Sequence, residues 1–437
     1  MARIDEVYGK PSRPERIIQF GSGAFLRGFF DWMLQKTNEA GLMNASAVIV
    51  QSTEGNGADR LNGQNCLYTQ VLRGAEGESR TVVDSISRCL RARQDFEAFM
   101  ALADQPEMRF IVSNTTEAGI CDAPGERLTD APCASFPGKL TQLLYRRYQR
   151  KLPGFIILPC ELIVNNGGIL KSIVLKKARE WNLEPGFAKF VEAENHFLNT
   201  LVDRITPGYP RDIPVEMDYE DALVNTSEFY HFFAIEGDAA LAGELPFHRA
   251  GLNVLWTDNL APYHTRKVRI LNGVHTATVG YALLKGFDTV GEALKNDKMR
   301  NFMRAAAFDE IVPVLDLPQA EAREYAESVF ARFANPYIRH AWRSISLNSV
   351  SKFRVRLVPT LLAYREKNGG WPRHLVYSMA CLIRLYRAMD VDDAPENLDQ
   401  LRHRTLPEIM ADAGMWGADL SAMTAEVAAA MEREDFE

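Results

Sequence analysis

Long hydrophobic runs are absent from this sequence of 437 residues. No apolar stretch approaches the roughly 18 residues that a membrane-spanning helix needs. The first twenty residues, MARIDEVYGKPSRPERIIQF, are charged, include two prolines and have no apolar core of the signal-peptide kind. We therefore expect a cytoplasmic protein with no membrane partner.

Cysteine is scarce, and the residues that usually hold metals are not clustered. The six cysteines are scattered without a CxxC pair, which excludes a disulfide-stabilised scaffold. The eight histidines form neither HxH nor HExxH, and none has cysteines or carboxylates at the spacing of a zinc site. The sequence therefore predicts that no metal is bound.

An excess of positive charge is also missing. Lysine and arginine together number 50 and aspartate and glutamate 57, which gives a net charge of −7. Proteins dedicated to nucleic acids need a basic field to meet phosphates, so this class is excluded as a partner. A local basic pocket for a small anion is compatible with this balance.

The composition, 46% hydrophobic and 24% charged, is that of a globular protein long enough for two or three domains. In the first third, short apolar strands alternate with amphipathic helices, a pattern typical of βαβ units in a parallel sheet. After about residue 165, helical periodicity dominates. The sequence therefore predicts an α/β fold: a Rossmann-like dinucleotide-binding domain over residues 1–200, then a mostly α-helical substrate domain over 201–437.

The individual elements follow from the periodicity of the apolar residues. The predicted strands are 16–20, 47–51, 68–72, 81–84, 109–113, 154–159 and 229–235. The predicted helices are 25–40, 96–104, 136–150, 167–181, 185–201, 264–285, 290–296, 297–314, 319–334, 350–367 and 373–387.

A glycine turn follows the first predicted strand and precedes a helix. In this context, the first glycine permits a tight turn and the second lets a pyrophosphate approach backbone N–H groups at the helix N-terminus. Leu26 stands where the GxGxxG fingerprint has its third glycine, so a plain tight turn is the alternative. The predicted cofactor-binding residues are Gly21, Ser22, Gly23, Ala24 and Phe25.

Two further strand ends bear on the cofactor. An acidic residue at the tip of the second strand would bind an adenosine ribose hydroxyl, but the chain has Gln51 and Ser52 there, with Glu54 the nearest acid. These residues therefore leave the choice between NAD and NADP open. The segment Thr115, Thr116 and Glu117 follows another strand, where we expect either a cofactor contact or a helix N-cap.

One helix carries the most informative pattern in the chain. At about 100° per residue, Asn272 lies about 140° and His275 about 80° around the helix from Lys267. Most of the remaining helix is apolar, which indicates burial, and burial would lower the pKa of Lys267 toward that of a general base. The alternative is that Lys267 reaches water from the helix start while Asn272 and His275 are ordinary core polar residues.

Lys-x4-Asn-x2-His on a helix after such a domain resembles the long-chain polyol dehydrogenases of the mannitol dehydrogenase family. The likeness extends over most of the chain, through GSGAFLRG at 21–28, SNTTEAG at 113–119, CELIVNNGG at 160–168, VDRITP at 202–207 and KVRILNGVHT at 267–276. It implies a metal-independent, NAD(P)-dependent enzyme. Lys267 would exchange a proton with the substrate oxygen, while Asn272 and His275 would donate hydrogen bonds to it.

Within this family, NTTEAGI, PCELI, KVRILNG and VSKFRVRLVP resemble a branch that acts on hexuronate ketones. Mannitol dehydrogenases have an asparagine that contributes to the oxygen site where this chain has Leu162. We therefore expect a hexuronate/hexonate substrate, with D-tagaturonate and D-altronate as the first pair and D-fructuronate as an alternative. Lys352, Arg354 and Arg356 alternate as on one face of an extended segment. They would meet the carboxylate of the substrate or a phosphate, and the alternative is a solvated face. Asp203, within VDRITP, is a further substrate-binding candidate.

Two other functions stay open from the sequence. One is a mannitol or polyol 2-dehydrogenase of the same family. The other is a catalytically silent dinucleotide-binding protein that senses redox state. The intact set of Lys267, Asn272 and His275 favours an enzyme over a sensor, and the sequence does not indicate an oligomeric state.

Overall fold

A computed structural model describes residues 1–52, 54–115 and 119–436 of the chain. It divides into two compact units, Met1–Leu260 and Ala261–Glu437. The boundary predicted near residue 200 therefore falls inside the first unit. Strands between residues 199 and 257, which pair with one another, extend the first unit beyond the predicted position.

The first unit is organised around a six-stranded sheet in the order β5-β2-β1-β6-β7-β8, and all of its neighbouring strands are parallel. Two three-stranded sheets, β10-β3-β4 and β12-β11-β9, accompany it. The strands are β1 (Glu15–Phe20), β2 (Ser46–Gln51), β3 (Tyr68–Gly74), β4 (Gly77–Val83), β5 (Ile86–Arg91), β6 (Phe110–Ser113), β7 (Ile156–Pro159), β8 (His196–Phe197), β9 (Asn199–Asp203), β10 (Asn225–Ser227), β11 (Phe232–Glu236) and β12 (Val254–Thr257).

Helices cover both faces of the large sheet. Side chains of a strand alternate between its faces, and Ile17 and Ile18 of β1 accordingly lie in two different hydrophobic clusters. The helices of the first unit are α1 (Ile4–Val7), α2 (Ala24–Leu26), α3 (Trp32–Glu39), α4 (Gly57–Gly63), α5 (Phe96–Ala101), α6 (Phe136–Gln149), α7 (Asn166–Glu180) and α8 (Pro185–Ala193). Arg27–Asp31 is a π-helical segment that joins α2 to α3.

One predicted helix of the first unit is partly wrong. The helix expected over 185–201 ends at Ala193, and Asn199–Asp203 forms β9 instead. β9 pairs antiparallel with β11, so that Asp203 lies opposite Phe232. The backbone groups of residues 199–203 thus find their partners about 30 residues along the chain, which local periodicity does not reveal.

The second unit is built from helices. They are α9 (Ala261–Arg266), α10 (Asn272–Leu284), α11 (Val290–Lys295), α12 (Asp297–Ala305), α13 (Gln319–Phe333), α14 (Trp342–Ile345), α15 (Ser349–Arg356), α16 (Val358–Asn368), α17 (Arg373–Ala388), α18 (Pro395–His403), α19 (Leu406–Met410), α20 (Ala413–Trp416) and α21 (Thr424–Met431). Lys267–Leu271 and Ala306–Ile311 are π-helical.

Helix α10 lies at the centre of this unit. Its residues from Gly273 to Leu283 are all buried, as its nearly continuous apolar surface predicts, and α17, α15 and α12 pack around it. Across the described residues of both units, none of the helices has the length and hydrophobicity to span a membrane.

Candidate active site

The glycine turn of the first unit has the shape that its sequence predicts. Gly21 has a φ of +124°, and a Cβ built there would lie 2.9 Å from the carbonyl oxygen of Asn114, so a larger residue would be strained. Gly23 precedes α2, and a Cβ built on it would have no neighbour within 4 Å. A diphosphate therefore has room to approach the backbone at the beginning of the helical stretch 24–39.

The residue in the third fingerprint position is not a glycine, and another glycine provides the close packing. Leu26 is buried, and its Cδ1 lies 3.3 Å from the Cβ position of Gly21. A Cβ on Gly28, two residues later, would collide with the Ser227 hydroxyl and lie 2.7 Å from Asn225 Nδ2. The helical stretch thus approaches β10, a strand of the sheet β10-β3-β4, closely at Gly28.

The end of β2 offers a buried hydroxyl rather than a carboxylate. Gln51 is held by its loop, because its Oε1 accepts from the Ala58 N–H at 2.6 Å and its Nε2 donates to the Gly55 carbonyl at 3.0 Å. Ser52 Oγ is buried and has no hydrogen-bond partner among the described residues. Glu54 points into solvent and pairs with Arg93 at 3.7 Å.

The ends of β6 and β7 meet at a buried carboxylate that the sequence analysis did not single out. Glu161 accepts hydrogen bonds from Ser113 Oγ at 3.0 Å and from both the N–H and the Oγ1 of Thr115 at 2.8 Å. Burial raises the pKa of Glu161, and the bonds from Thr115 and Ser113 oppose that rise. The only local hint in the sequence is an acidic residue immediately after an apolar strand.

Thr115 is therefore tied to the end of β7. Its side chain donates to Glu161, and the next described helix begins at Phe136. The other two residues predicted here, Thr116 and Glu117, lie outside the described residues.

Taken together, these residues fit a dinucleotide. The open space at Gly23 suits a diphosphate, and Ser52 provides a buried hydroxyl in need of a partner near the expected ribose. Thr115 lies at the carboxyl end of a central strand, where nucleotides bind in parallel sheets of this type.

In the second unit, a π turn separates Lys267 from α10. The N–H of Asn272 donates to the carbonyl of Lys267, five residues earlier, instead of the usual four. One added residue in a turn takes about 100° off the helical rotation beyond it. Asn272 then lies about 40° and His275 about −20° around from Lys267, so the three share an arc of about 60° rather than about 140°.

Lys267 is half-buried, and the buried stretch of the helix begins only at Ile270. Burial lowers the pKa of His264, and the charges of Lys267 and Arg269 lower it further, which places Lys267 close to that ring. Lys267 thus lies at the boundary between core and solvent, a position from which a proton can be exchanged.

His275 is enclosed by aromatic rings. Phe333 stacks on it at 4.2 Å, and His340 meets it edge-on at 4.6 Å. Burial holds its pKa well below the usual range, helped by the positive charges of Arg356 and Arg332 among others, so the ring is neutral. Its Nε2 is buried without a hydrogen-bond partner among the described residues. Sequence spacing could not have identified His340, because its proximity comes from packing.

The three cations expected to alternate along an extended segment lie on helix α15 instead. At about 100° per residue, Lys352 and Arg356 are about 40° apart, whereas Arg354 lies about 160° from each of them. Arg356 donates to Thr276 Oγ1 at 3.1 Å, one residue after His275, while Arg354 donates to the Gly414 carbonyl. The prediction of one face for all three is therefore wrong, and Arg354 is separated from the other two.

Two more predicted positions lie in the first unit. Asp203 is buried at the end of β9. Leu162, which follows Glu161, has 59% of its surface exposed and contributes no polar group.

Comparison with known proteins gives a consistent family match. The model of the mannitol dehydrogenase Rossmann domain matches residues 15–249, and that of the mannitol dehydrogenase C-terminal domain matches residues 259–432. An altronate oxidoreductase of Klebsiella pneumoniae (strain 342) is 46% identical over 387 residues, which cover 86% of this chain and 80% of the relative. An altronate oxidoreductase of Escherichia coli O7:K1 (strain IAI39 / ExPEC) is 44% identical over 387 residues, which again cover 86% of this chain and 80% of the relative.

Solved structures share the fold at lower identity. A D-sorbitol dehydrogenase in substrate-free form has a TM-score of 0.83 and 19% identity, and the match covers 99% of this chain and 98% of that one. A Pseudomonas fluorescens mannitol 2-dehydrogenase, in a ternary complex with NAD and D-mannitol, has a TM-score of 0.72 and 23% identity. The match covers 98% of this chain and 92% of that one.

Proposed function

The chain belongs to the mannitol dehydrogenase family, and we propose that it is an NAD-dependent oxidoreductase that interconverts D-tagaturonate and D-altronate. The observation that carries this proposal is the common helix face of Lys267, Asn272 and His275, created by the π turn between them. The identity of 44–46% to altronate oxidoreductases supports the substrate pair. Reduction of a ketone needs a hydride at carbon and a proton at oxygen, and these three side chains suit the second requirement.

The first unit is proposed to bind the cofactor. Residues 21–25 would hold the diphosphate, Ser52 a ribose hydroxyl and Thr115 the nicotinamide half, with Thr116 and Glu117 as further candidates from the sequence. When bound, NAD(H) accepts or supplies the hydride. Because Gln51 and Ser52 rather than an acid occupy the end of β2, NADPH belongs in any test of this site.

The second unit is proposed to exchange a proton with the substrate oxygen and to donate hydrogen bonds to it. Lys267 exchanges the proton with that oxygen from its half-buried position at the beginning of the helix. His275, kept neutral by burial, donates a hydrogen bond from Nε2 without competing for the proton. Asn272 donates from its amide, and each such donor is commonly worth about 3–4 kcal/mol in the transition state.

The carboxylate of the substrate is proposed to meet Lys352 and Arg356. Both lie on the same face of α15, and Arg356 reaches the residue that follows His275. Lysine and arginine form charge-assisted hydrogen bonds with a carboxylate, which a neutral sugar cannot offer, so the neutral sugar should bind more weakly. Asp203 remains the candidate for a substrate hydroxyl.

A substrate panel tests the proposal. We expect kcat/KM with NADH to be highest for D-tagaturonate, lower for D-fructuronate, which keeps the charge but differs in stereochemistry, and far lower for fructose. The same series with NADPH measures cofactor preference. A fructose value equal to those of the uronates would contradict carboxylate recognition and favour a general polyol dehydrogenase. Absence of turnover with every sugar would favour the redox sensor.

The variant Lys267→Ala tests the proton transfer. Turnover of D-tagaturonate should fall by about 10²–10⁴-fold, because the substrate oxygen loses its acid/base partner. NADH binding, measured by fluorescence, should stay within about twofold of the wild type, since Lys267 is not assigned to the cofactor site. Near-normal turnover in this variant would rule out the assignment.

A further inference from the structure

A buried carboxylate stands at the edge of the sheet where the cofactor is proposed to bind. Glu161 follows β7, is 2% exposed and forms no ion pair among the described residues. Three donors from β6 and the turn after it, Ser113 Oγ, the Thr115 N–H and Thr115 Oγ1, satisfy its two oxygens at 2.8–3.0 Å. A buried carboxylate is costly unless donors compensate it, so this arrangement needs an explanation beyond core packing.

Asn114, the residue between β6 and Thr115, lies against the glycine turn. The N–H of Asn114 donates to the Phe20 carbonyl at 3.0 Å, and its side chain donates to the Cys160 carbonyl at 2.7 Å. Its own carbonyl occupies the space beside Gly21. Glu161, Asn114 and Gly21 thus connect the ends of β7, β6 and β1, the three strands whose carboxyl ends face a nucleotide in this type of sheet.

The direction of one hydrogen bond has a chemical consequence. A threonine hydroxyl has a single proton, and that of Thr115 is donated to Glu161. None of the described residues donates to Thr115 Oγ1, so its lone pairs can accept, and a bond to a carboxylate increases the negative charge on the donor oxygen. The partner that suits such an oxygen is a donor, and the ribose hydroxyls and the carboxamide N–H of a nicotinamide nucleotide are donors.

We propose that Glu161 is a positioning residue for the dinucleotide, which orients Thr115 so that its hydroxyl accepts a hydrogen bond from the nicotinamide half of the cofactor. This inference rests on the proposed function. It adds a residue that does not touch the cofactor and that acts through Thr115. It predicts that Glu161 and Thr115 behave as one unit.

Equilibrium binding of NADH to the full chain, followed by fluorescence without any sugar, provides the test. Glu161→Gln and Thr115→Val should each raise the Kd for NADH by about tenfold, because the first removes the negative charge that polarises the Thr115 hydroxyl and the second removes the hydroxyl itself. Thr115→Ser, which keeps the hydroxyl, should bind within about twofold of the wild type. The Kd for NADH of the double variant should not exceed the higher of the two single-variant values, since both changes remove the same interaction.

A matched control separates positioning from a structural role. Glu244→Gln makes the same change in a carboxylate that accepts from Arg109, the residue just before the amino end of β6, at the opposite edge of the sheet. It should leave the Kd for NADH unchanged. In steady-state assays, the loss in Glu161→Gln should appear in the KM for NADH rather than in kcat.

Three outcomes would overturn the inference. The first is a Kd for NADH in Glu161→Gln within twofold of the wild type, with only the melting temperature lowered. The second is full additivity of Glu161→Gln and Thr115→Val. The third is a wild-type chain that fails to bind NADH at all, which would overturn the proposed function as well. Should Glu161→Gln fail to fold, Thr115→Val and Thr115→Ser still decide the role of the hydroxyl.

Discussion

Asp31, in the π segment after the glycine turn, is a carboxyl group with no access to water. Burial raises its pKa from the usual 3.8 to about 7, although Gln19 donates to its Oδ2 at 3.2 Å and Arg27 lies nearby. Its Oδ1 has no partner among the described residues. The folded chain therefore keeps a proton on Asp31 at pH values at which the unfolded chain has released it.

This proton makes stability depend on pH. Because the folded pKa is the higher one, the contribution of Asp31 is fully present below about pH 4 and is lost as the pH rises toward 7. Asp31→Asn cannot ionise, so it should be more stable than the wild type at pH 8. The difference should reach about 4 kcal/mol, since each pKa unit corresponds to about 1.4 kcal/mol.

Melting temperatures of both proteins between pH 4 and 8 measure the effect. The advantage of Asp31→Asn at pH 8 should shrink steadily toward pH 4. A constant difference across this range would show that Asp31 does not titrate near 7. Glu39→Gln, a change on the exposed end of α3, keeps Asp31 and should therefore follow the wild type across this range.

At the scale of elements, the π turn Lys267–Leu271 decides which side chains share a face. In a regular helix, Asn272 would lie about 140° from Lys267 and could not bind the same oxygen atom. π turns are rare, and they are often found at functional sites. The alignment of Lys267 with Asn272 and His275 is the benefit here.

Deletion of Val268 tests this element. Removal of one residue should let the segment return to α-helical geometry, which rotates Lys267 by about 100° relative to Asn272 and His275. Turnover should then fall by at least about 10²-fold, close to the loss in Lys267→Ala, while NADH binding persists. Stopped-flow and fluorescence measurements on the purified variant check both properties.

Val268→Ala is the control for the deletion, since it alters the same position without changing the register. It should keep turnover within a few-fold of the wild type. Full activity in the deletion variant would contradict the alignment, because it would mean that a regular helix brings the three groups together equally well.

For the molecule as a whole, the described residues contain no group of three or more histidine, cysteine, aspartate or glutamate side chains suited to a metal. The proposed chemistry uses Lys267 and hydrogen-bond donors in place of a Lewis acid. Turnover should therefore survive prolonged dialysis against a chelator, and elemental analysis should find no stoichiometric zinc. Activity that disappears on chelation and returns with zinc would overturn this expectation.

The division of the chain into two units was only partly predictable. The sequence correctly indicated a parallel sheet followed by helices, because buried parallel strands are short apolar runs and buried helices are apolar at helical spacing. It placed residues 201–260 in the wrong unit. β11 overlaps the strand predicted over 229–235. β9 and β12 were not predicted as strands, and their assignment depends on pairing with β11.

The sequence by itself determined the fold class and the chemical groups of the candidate site, since glycine freedom, apolar periodicity and residue type are local properties. The tertiary structure alone decided the rest. It added the π turn that aligns Lys267 with Asn272, the enclosure of His275 by Phe333 and His340, and the link from Glu161 to Thr115. The contacts of His275 and of Glu161 join residues tens of positions apart. The π turn is local, but a regular helix would satisfy the same sequence pattern equally well. No local pattern encodes such contacts, because their free energy exists only once distant segments are packed together.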